Sequence, residues 1–346
     1  MVREVEYRVE VIRSGVAHTE LIFDAATPPN LYMDRQGEIK GSLSGTFRRN
    51  DAVDYLRDEL RPVMVLNGVE HSLGIFIPTT VQRAYGETGD TVAVEAYDRS
   101  YRLQETVLAQ RLHLDAGASY ITVLRQLLTQ AGIALAIVTP CADTLQTARE
   151  DWDAGTSYLS IVNQLLSEIN YSAVWFDANG YARLEPYAPP DAARIRHRYS
   201  AADLRQAPVS LSGTAQIDLF DRPNVFLVRC SNPDLAQPMT AQAVNDNPQS
   251  ALSTIRRGRR ILKVCQVDNI ASQQALQAYA NRLCQQSMLA TEQVRFETLC
   301  EPGHGVGDVI ALEHPGMEGV YEETAWYLTL AAGSLMSHDA RKVVLV

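Results

Sequence analysis

DWDAGTSYLSIVNQLLSEINYSAVWFDANGYARLEPY, residues 151–187, carries a helix pattern that is followed directly by a hairpin pattern. Thr156 or Ser157 is placed to accept hydrogen bonds from the first backbone N–H groups of a helix. Apolar residues then recur at helical spacing on one face: Tyr158, Leu159, Ile161, Val162, Leu165, Leu166 and Ile169. Residues 171–185 combine β-branched and aromatic runs with the turn sequence Asp-Ala-Asn-Gly, which indicates a hairpin. The segment therefore predicts a small α+β unit in which one helix face is buried.

A similar helix pattern occurs 38 residues earlier. Residues 115–128, DAGASYITVLRQLL, align with residues 153–166, DAGTSYLSIVNQLL. Two copies are too few for a solenoid, which needs at least about three stacked repeats. Gly117 and Gly155 precede the two caps, so we expect them to take positive φ, and without a Gly-x-Gly-x-x-Gly pattern a phosphate-binding role is disfavoured. The central segment thus predicts two similar amphipathic helices.

The balance of charge and the lack of long apolar runs exclude several classes of protein. The 346 residues include 41 acidic and 31 basic side chains, a net charge of −10, which argues against binding nucleic acid or anionic lipid through phosphate neutralisation. We expect no membrane span, because no run approaches the roughly 20 apolar residues that a span requires. The five cysteines are scattered and odd in number, which disfavours a disulfide framework or a zinc site and favours buried thiols.

Alternation and turn residues along the chain predict an α+β protein in which two β-rich domains flank a smaller α/β domain. Residues 1–102 carry several short strand patterns, and residues 103–190 carry the two helices and the hairpin. Residues 191–346 carry further strands with one helix over 271–288. Short strands separated by Gly and Pro are typical of a barrel or a sandwich.

Three local predictions accompany this domain division. Residues 51–60 are compatible with a short helix that ends before Pro62. Asn67-Gly68 indicates a hairpin whose loop is longer than two residues. A polar stretch rich in Pro and Asn predicts a long loop over 231–260, and a long loop in a compact domain usually has a partner or a function.

The densest basic cluster of the chain lies inside this predicted loop and consists of Arg256, Arg257, Arg259 and Arg260. Four arginines among five residues can bind nucleic acid. On an acidic chain, a solvated loop or a contact between subunits is the favoured interpretation. We therefore take these four residues as the candidate subunit interface.

The sequence carries no recognised catalytic motif, since His-Glu-x-x-His, Gly-x-Ser-x-Gly and a Walker loop are all absent. The only histidine–carboxylate cluster along the sequence consists of Glu301, His304, Asp308, Glu313 and His314. Its spacing matches no recognised metal-binding template, so turn and surface histidines are favoured over a metal site. We predict no catalytic residue, no cofactor and no metal, and hence no enzyme.

Two further sets of residues have both a functional and a structural interpretation. Asp151 and Asp153 could pair for glycosidase-type acid–base chemistry, but acids placed before a helix favour its N-terminal dipole, so capping is preferred. Trp152, Trp175 and Trp326 could line a carbohydrate-binding surface, but a hydrophobic core or a subunit interface explains them more simply.

Several segments, in order over most of the chain, carry a resemblance to a known family. They are LRPVMVLNG at 60–68, LGIF at 73–76, EAYDRSYRL at 95–103, NQLL through WFDANG at 163–180, RPNV at 222–225 and RRI at 259–261. Together with the β–α/β–β layout, they resemble the central hub proteins of phage tails and phage-like contractile particles, which are related to the N-terminal part of type VI secretion spikes. None of these segments is a catalytic signature.

The resemblance implies a homotrimer whose first and third domains are each a tail-tube-like barrel. Six such barrels, two per chain, would form a ring that adapts the hexameric tail tube to the trimeric central spike. The implied partners are the tail tube or distal tube-initiator protein, the central spike protein and the tape-measure protein. The implied location is the tail baseplate of a virion or phage-like particle assembled in the bacterial cytoplasm. An acidic channel wall would let DNA pass without specific binding.

Two other functions stay open. Some tail hubs continue into a peptidoglycan-cleaving domain, and the lack of a site motif disfavours this hydrolase activity here. The other alternative is a carbohydrate- or receptor-binding tail module that uses the tryptophans. A glycan-binding screen separates this module from the hub interpretation.

Overall fold

The computed structural model shows a β-rich α+β chain, which confirms the predicted fold class. The described residues are 3–87, 89–202, 209–217, 220, 222–231, 238–289, 292–305 and 307–343. Within them, none of the helices has the length and apolar character needed to cross a membrane.

Strands follow one another through the first hundred residues. They are β1 (Val5–Arg13), β2 (Val16–Leu21), β3 (Asn30–Asp34), β4 (Gly41–Arg48), β5 (Glu59–Leu66), β6 (Val69–Ser72), β7 (Phe76–Ala84) and β8 (Thr91–Asp98). They pair with one another antiparallel. Along β8 buried side chains alternate with more exposed ones, as a strand with one covered face requires. Val9, Leu31, Leu60 and Phe76 belong to the apolar core on that face.

Residues 51–58 form turns, so the prediction of a helix there is wrong. The side-chain oxygens of Asn50 and Asp54 each accept a hydrogen bond from the backbone N–H two residues later, at 3.0 and 3.1 Å. Short polar side chains compete in this way with the hydrogen bonds of a helix. Pro62 lies inside β5, opposite Val9 of β1, and so it does not mark the end of a helix.

The hairpin at Asn67-Gly68 is confirmed, but its loop has only these two residues, whereas the sequence predicts a longer one. β5 ends immediately before Asn67 and β6 begins immediately after Gly68. The two residues have φ of +51° and +81°, as the central residues of a type I′ turn require. The sequence of β6, Val-Glu-His-Ser, is mostly polar, and therefore its strand character is not apparent from hydrophobic alternation.

The central segment contains the two similar helices and the hairpin that its pattern predicts, together with one further helix and three short strands. Its elements are α1 (Ser100–Glu105), β9 (Leu112–Leu114), α2 (Tyr120–Gln130), β10 (Ala136–Val138), β11 (Arg149–Trp152), α3 (Tyr158–Glu168), β12 (Trp175–Phe176) and β13 (Ala182–Leu184). The side chain of Ser157 caps α3 by accepting a hydrogen bond from the N–H of Ser160 at 3.3 Å. Gly117 and Gly155 have φ of +82° and +89°. The antiparallel pairing of β12 with β13 confirms the hairpin.

Further strands and helices follow in the last segment. They are a 3₁₀ turn (Ala192–Arg194), β14 (Ile195–Ser200), β15 (Val209–Ile217), β16 (Val225–Cys230), β17 (Met239–Val244), α4 (Thr254–Arg257), β18 (Leu262–Val267), α5 (Gln273–Leu289), β19 (Glu292–Leu299), β20 (Val309–Glu313), β21 (Gly319–Thr329) and β22 (Leu335–Lys342). α5 confirms the helix predicted over 271–288.

The prediction of one long loop over 231–260 is wrong, because two elements interrupt its described part, although residues 245–253 between them are irregular. The strand β17 lies within it and pairs antiparallel with β16, and the short helix α4 follows. The sequence Met-Thr-Ala-Gln-Ala-Val conceals this strand because its buried side chains are those of Ala241 and Ala243, which contribute little hydrophobic signal. Residues 232–237 of the predicted loop lie outside the described residues.

One sheet joins the β-rich segments from the two ends of the chain. In the described residues it has 14 strands in the order β15-β19-β22-β21-β3-β4-β8-β7-β5-β1-β2, with β14, β20 and β6 attached beside this path. The pairing of β21 with β3 is the joint. Strands β16, β17 and β18 form a separate sheet, and buried side chains of β16, β17 and α5 share one core with α2 and α3. The domain boundaries near residues 102 and 190 stay a prediction.

Candidate functional site: a buried histidine–carboxylate cluster

Three histidines and three carboxylates converge between β14, β21, β22 and the loop that follows β19. We call this group the histidine–carboxylate cluster, and its members are His197, Glu301, His304, Asp308, Glu323 and His338. The structure thus brings together three of the five residues that form a cluster along the sequence, Glu301, His304 and Asp308. It leaves out Glu313, which is exposed, and His314, whose Nδ1 lies 3.0 Å from the next backbone carbonyl.

Glu323 lies at the centre of the cluster because of a bulge in β21. The register with β22 shifts between Glu323 and Ala325. Both Glu322 and Glu323 are buried, although adjacent residues of a regular strand face opposite sides. The Glu323 carboxylate lies 2.9 Å from Nδ1 of His304 and 2.5 Å from Nδ1 of His338. The bulge therefore aims a carboxylate between two imidazole rings.

The second nitrogen, Nε2, of each of these two imidazole rings also has a hydrogen-bonding partner. Nε2 of His304 lies 2.6 Å from the hydroxyl of Tyr199, and Nε2 of His338 lies 2.8 Å from the hydroxyl of Thr298. The side chains of His304, Glu323 and His338 are at most 2 % exposed. The three groups are therefore fixed in direction and shielded from solvent.

Burial and charge pairing act in opposite directions on these groups. Burial by itself would raise the pKa of Glu323, but the neighbouring histidines lower that pKa to about 2. Burial lowers the pKa of His338 below its ordinary value in spite of the adjacent carboxylate. At neutral pH, Glu323 is therefore ionised and accepts a hydrogen bond from a neutral His338.

His197 forms a second layer against His304. The two rings stack with centroids 3.9 Å apart and planes inclined by 8°. Nδ1 of His197 lies 3.6 Å from Glu301, and Nε2 lies 3.5 Å from Asp308. Burial opposes protonation, but these carboxylates raise the pKa of His197 to about 9. His197 is therefore a cation at neutral pH and offsets part of the negative charge beside it.

Sequence reasoning missed His197, Glu323 and His338. His338 occupies a buried position in a strand where buried and less buried residues alternate, between Met336 and Ala340. A polar residue at such a position is the signal that could have identified it. Glu323 gives no such signal, because a bulge is not visible in the sequence. Chemically, the assembled cluster can hold a buried proton or coordinate a cation.

The four arginines of the candidate interface lie in α4 and the turn that follows it. Arg256, Arg259 and Arg260 are exposed, and Arg257 is half-buried. Arg257 donates a hydrogen bond to the carbonyl of Arg222 at 2.8 Å. The structure thus places three of the four guanidinium groups at the surface. Their role as a subunit interface stays a prediction.

The tryptophans are core residues more than surface residues. Trp152 and Trp326 are 4 % and 5 % exposed, and Trp175 is half-buried. The indole N–H groups of Trp152 and Trp175 donate to Gln164 and Glu185 at 2.9 and 3.1 Å. These contacts satisfy the polar atoms of the Trp152 and Trp175 rings within the chain, and together with the burial of Trp326 they agree with the structural interpretation.

Asp151 and Asp153 bind arginines and do not cap α3, so the capping interpretation is wrong. Asp151 pairs with Arg149 and Asp153 pairs with Arg111. Ser157 is the cap instead. The sequence places two acids ahead of the helix, but the arginines that they bind are positioned by the pairing of β11 with β9.

No protein-family model and no curated protein sequence matches the chain. Solved structures match it over nearly its whole length. The tail protein from Neisseria meningitidis MC58 has a TM-score of 0.68 at 12 % identity, covering 97 % of both chains. The 43 kDa tail protein of prophage MuSo2 from Shewanella oneidensis has a TM-score of 0.66 at 8 % identity, covering 97 % of this chain and 98 % of that one.

A third similar structure comes from a secretion system. The E. coli c3393 protein is a component of the type VI secretion system with structural similarity to the T4 bacteriophage tail proteins gp27 and gp5. Its TM-score is 0.52 at 11 % identity, covering 97 % of this chain and 77 % of that one. The chain therefore has the fold of phage tail proteins, which this type VI secretion component shares.

Proposed function

We propose that the protein is the structural hub of a phage or phage-like tail baseplate. In this proposal three copies form a ring that adapts the hexameric tail tube to the trimeric central spike and encloses the channel. The observation that carries the proposal is the 14-stranded sheet, in which strands from both ends of the chain lie in one continuous layer. Two joined β-rich segments supply two tube-like units per chain, and three chains supply six.

The joint between the two β-rich segments fixes their relative orientation. Asn30 in β3 accepts hydrogen bonds from the hydroxyls of Tyr327 and Thr329 in β21, at 2.5 and 2.9 Å. At the other end of the same pairing, Arg35 forms an ion pair with the buried Glu322. Side-chain contacts at both ends of the joint thus reinforce the backbone ladder. A rigid pair of units is what a closed ring of six requires.

The two ends of the sheet favour closure by head-to-tail pairing. In the described residues β2 pairs only with β1, and β15 pairs only with β19. Residues 212–217 of β15 are exposed on both faces of the strand, and Val16 in β2 is 67 % exposed. An open strand edge is a template for pairing with another chain, and a head-to-tail contact repeated around a rotation axis closes a ring. The proposed subunit contacts therefore lie at these two edges.

The proposed partners are the central spike protein, the tail tube or tube-initiator protein, and the tape-measure protein, within the baseplate of the particle. The similarity to phage tail proteins and to a type VI secretion component supports a role in assembly without bond chemistry. The net charge of −10 supports a channel that lets DNA pass without specific binding.

The test is the native mass by light scattering, for the protein alone and co-expressed with the neighbouring spike protein. We expect a mass of three chains in at least one sample. Val16→Lys and Ile217→Lys place charges on the two edges and are expected to abolish the trimer while the monomer stays folded. Ile137→Lys is the matched control, because Ile137 is 47 % exposed and lies in β10, outside the large sheet. A monomer in both samples, above all one that binds glycans or cleaves peptidoglycan, would contradict the proposal.

The exposed arginines after β17 are proposed as a second subunit contact. The test replaces Arg256, Arg259 and Arg260 with serine and keeps the half-buried fourth arginine, because it binds a backbone carbonyl. Weaker ring assembly with an unchanged circular dichroism spectrum is the expected result. Serine at Arg57 and Arg125, two exposed arginines elsewhere, is the control. Unchanged assembly would refute the proposed arginine contact. The proposed pairing at the two sheet edges is tested separately by the lysine variants.

A further inference from the structure

We propose that the histidine–carboxylate cluster binds one divalent transition-metal ion, with Zn²⁺ as the expected occupant. The ligands are Nδ1 of His304, Nδ1 of His338 and the carboxylate of Glu323. These atoms lie within 4.8 Å of one another. The two oxygens of the carboxylate contact one Nδ1 atom each, so the three groups border one small space. Two imidazoles and one carboxylate form an established zinc ligand set.

The separations between these atoms fit coordination after a small movement. Zn–N and Zn–O bonds of about 2.0–2.2 Å place the ligand atoms of a tetrahedron about 3.3 Å apart. The Glu323 oxygens now lie 2.9 Å from His304 and 2.5 Å from His338. A withdrawal of the carboxylate by less than about 1 Å therefore brings both nitrogen–oxygen separations to this value. Three protein ligands leave one position for a water molecule or an anion.

The Nε2 atoms of His304 and His338 have the hydrogen-bonding partners that the non-coordinating nitrogens have in known metal sites. A metal-bound histidine generally presents its other ring N–H to an acceptor, which sets the tautomer and the direction of the ring. With the metal on Nδ1 the ring proton would lie on Nε2, and the hydroxyl oxygens of Tyr199 and Thr298, at 2.6 and 2.8 Å, would be its acceptors in His304 and His338. Two of the ligands project from neighbouring strands of the large sheet, which gives the site a rigid support.

Burial of the carboxylate supports the same conclusion. Glu323 is 1 % exposed, and a buried carboxylate is costly unless a cation lies beside it. The adjacent positive group, His197, stacks on the far side of His304 and faces Glu301 and Asp308. A dication between His304 and His338 would contact Glu323 directly. Sequence spacing disfavours a metal site here only because the ligands come from distant positions.

The test is a titration of untagged, chelator-dialysed protein with Co²⁺, followed by visible absorption, and then displacement by Zn²⁺. We expect one equivalent of Co²⁺ per chain with the absorption of a tetrahedral site, which Zn²⁺ abolishes. His304→Gln and His338→Gln are expected to weaken binding by at least about tenfold. His314→Gln is the matched control, because His314 is also buried, at 6 % exposure, but lies outside the cluster. It should bind Co²⁺ as the wild type does.

A further variant tests metal binding if His304→Gln and His338→Gln do not fold. Tyr199→Phe retains the ring and removes only the hydroxyl that orients His304, and we expect it to weaken binding by about 10–100-fold. Circular dichroism checks the fold of each variant. A wild-type protein without the tetrahedral Co²⁺ spectrum, or a folded Tyr199→Phe or His304→Gln protein that binds as tightly as the wild type, would overturn the proposal. The cluster would then be a hydrogen-bonded network only.

Discussion

At the scale of single residues, the ion pair between Arg149 and Glu168 connects β11 to the end of α3. Both side chains are 3 % exposed, and their nearest atoms lie 2.8 Å apart. Glu168 also accepts a hydrogen bond from the hydroxyl of Tyr120 in α2 at 2.8 Å. The removal of one partner from a buried pair leaves a charge without compensation, whereas replacement of both by apolar residues removes the desolvation cost as well.

We expect Glu168→Leu to lower the free energy of unfolding by about 3–5 kcal/mol, because Arg149 then stays buried without its main partner. Arg149→Met combined with Glu168→Leu should recover part of that loss, because the buried hydroxyl of Tyr120 still lacks its acceptor. Chemical denaturation measures both effects. Asp153→Ala breaks the pair between Asp153 and Arg111, whose side chains are 72 % and 58 % exposed, and should cost much less than the loss of the buried pair. Equal losses at the buried and exposed pairs would contradict this account.

A second residue-scale contact holds the turns of residues 51–58 against β1. Asp58 is buried and accepts two hydrogen bonds from Arg13, at 2.7 and 2.8 Å. It also accepts one from the backbone N–H of Asp54 at 2.8 Å. Burial by itself would raise the pKa of Asp58, but these hydrogen bonds hold that pKa below its ordinary value of 3.8.

Stability should therefore depend on pH through Asp58. A carboxylate with a depressed folded-state pKa stabilises the fold above its unfolded-state pKa, and this contribution is lost as pH falls through the folded-state value. We expect Asp58→Asn to lower the free energy of unfolding by about 1–3 kcal/mol at neutral pH. The difference from wild type should shrink below about pH 4. Denaturation curves over this range measure it, with Asp51→Asn, at an 80 % exposed side chain, as control. A difference independent of pH would refute the role of the carboxylate charge.

At the scale of elements, α2 and α3 are a matched pair with similar sequences and different caps. The hydroxyl of Ser157 accepts a hydrogen bond at the start of α3, whereas Ser119 at the start of α2 makes no side-chain cap hydrogen bond. The backbone of Ser119 is extended in the same way as that of Ser157. The two helices therefore isolate the contribution of the cap hydrogen bond.

We expect Ser157→Ala to lower the free energy of unfolding by about 1 kcal/mol, because it leaves a backbone N–H of α3 without its partner. Ser119→Ala should cost less than half as much, since it removes no such bond. Urea denaturation of the two variants provides the comparison. Similar losses at both positions would mean that the cap hydrogen bond of Ser157 does not stabilise α3.

At the scale of the whole molecule, the pairing of β3 with β21 should make the two β-rich segments unfold together. Leu31 is fully buried at this joint, opposite Leu328, which is 1 % exposed. We expect Leu31→Ala to cost about 2–5 kcal/mol through the cavity that it leaves. Hydrogen exchange should then show loss of protection in both segments and not in the first alone. Val69→Ala, at a 57 % exposed position, is the control.

The sequence by itself determined the elements whose signals lie within a short window. These are the two similar helices, the hairpin after α3, the turn at Asn67-Gly68 and the helix α5. Helical periodicity, a serine cap and a residue able to take positive φ act between near neighbours, so each can be identified without the rest of the chain. Residues 51–58 show the limit of prediction from near neighbours. Their conformation depends on Asp58, which binds Arg13 of β1, 45 positions away in the chain.

Only the tertiary structure decided the features that depend on residues far apart in the chain. The joint of the large sheet pairs Asn30 with Thr329, and the histidine–carboxylate cluster collects residues from His197 to His338. Half of that cluster was visible along the sequence, since Glu301, His304 and Asp308 are near neighbours. The other half, His197, Glu323 and His338, is brought in by strand pairing and by the bulge at Glu323. Strand register and bulges arise from backbone hydrogen bonds between strands and not from the order of side chains along one strand, and therefore the sequence does not show them.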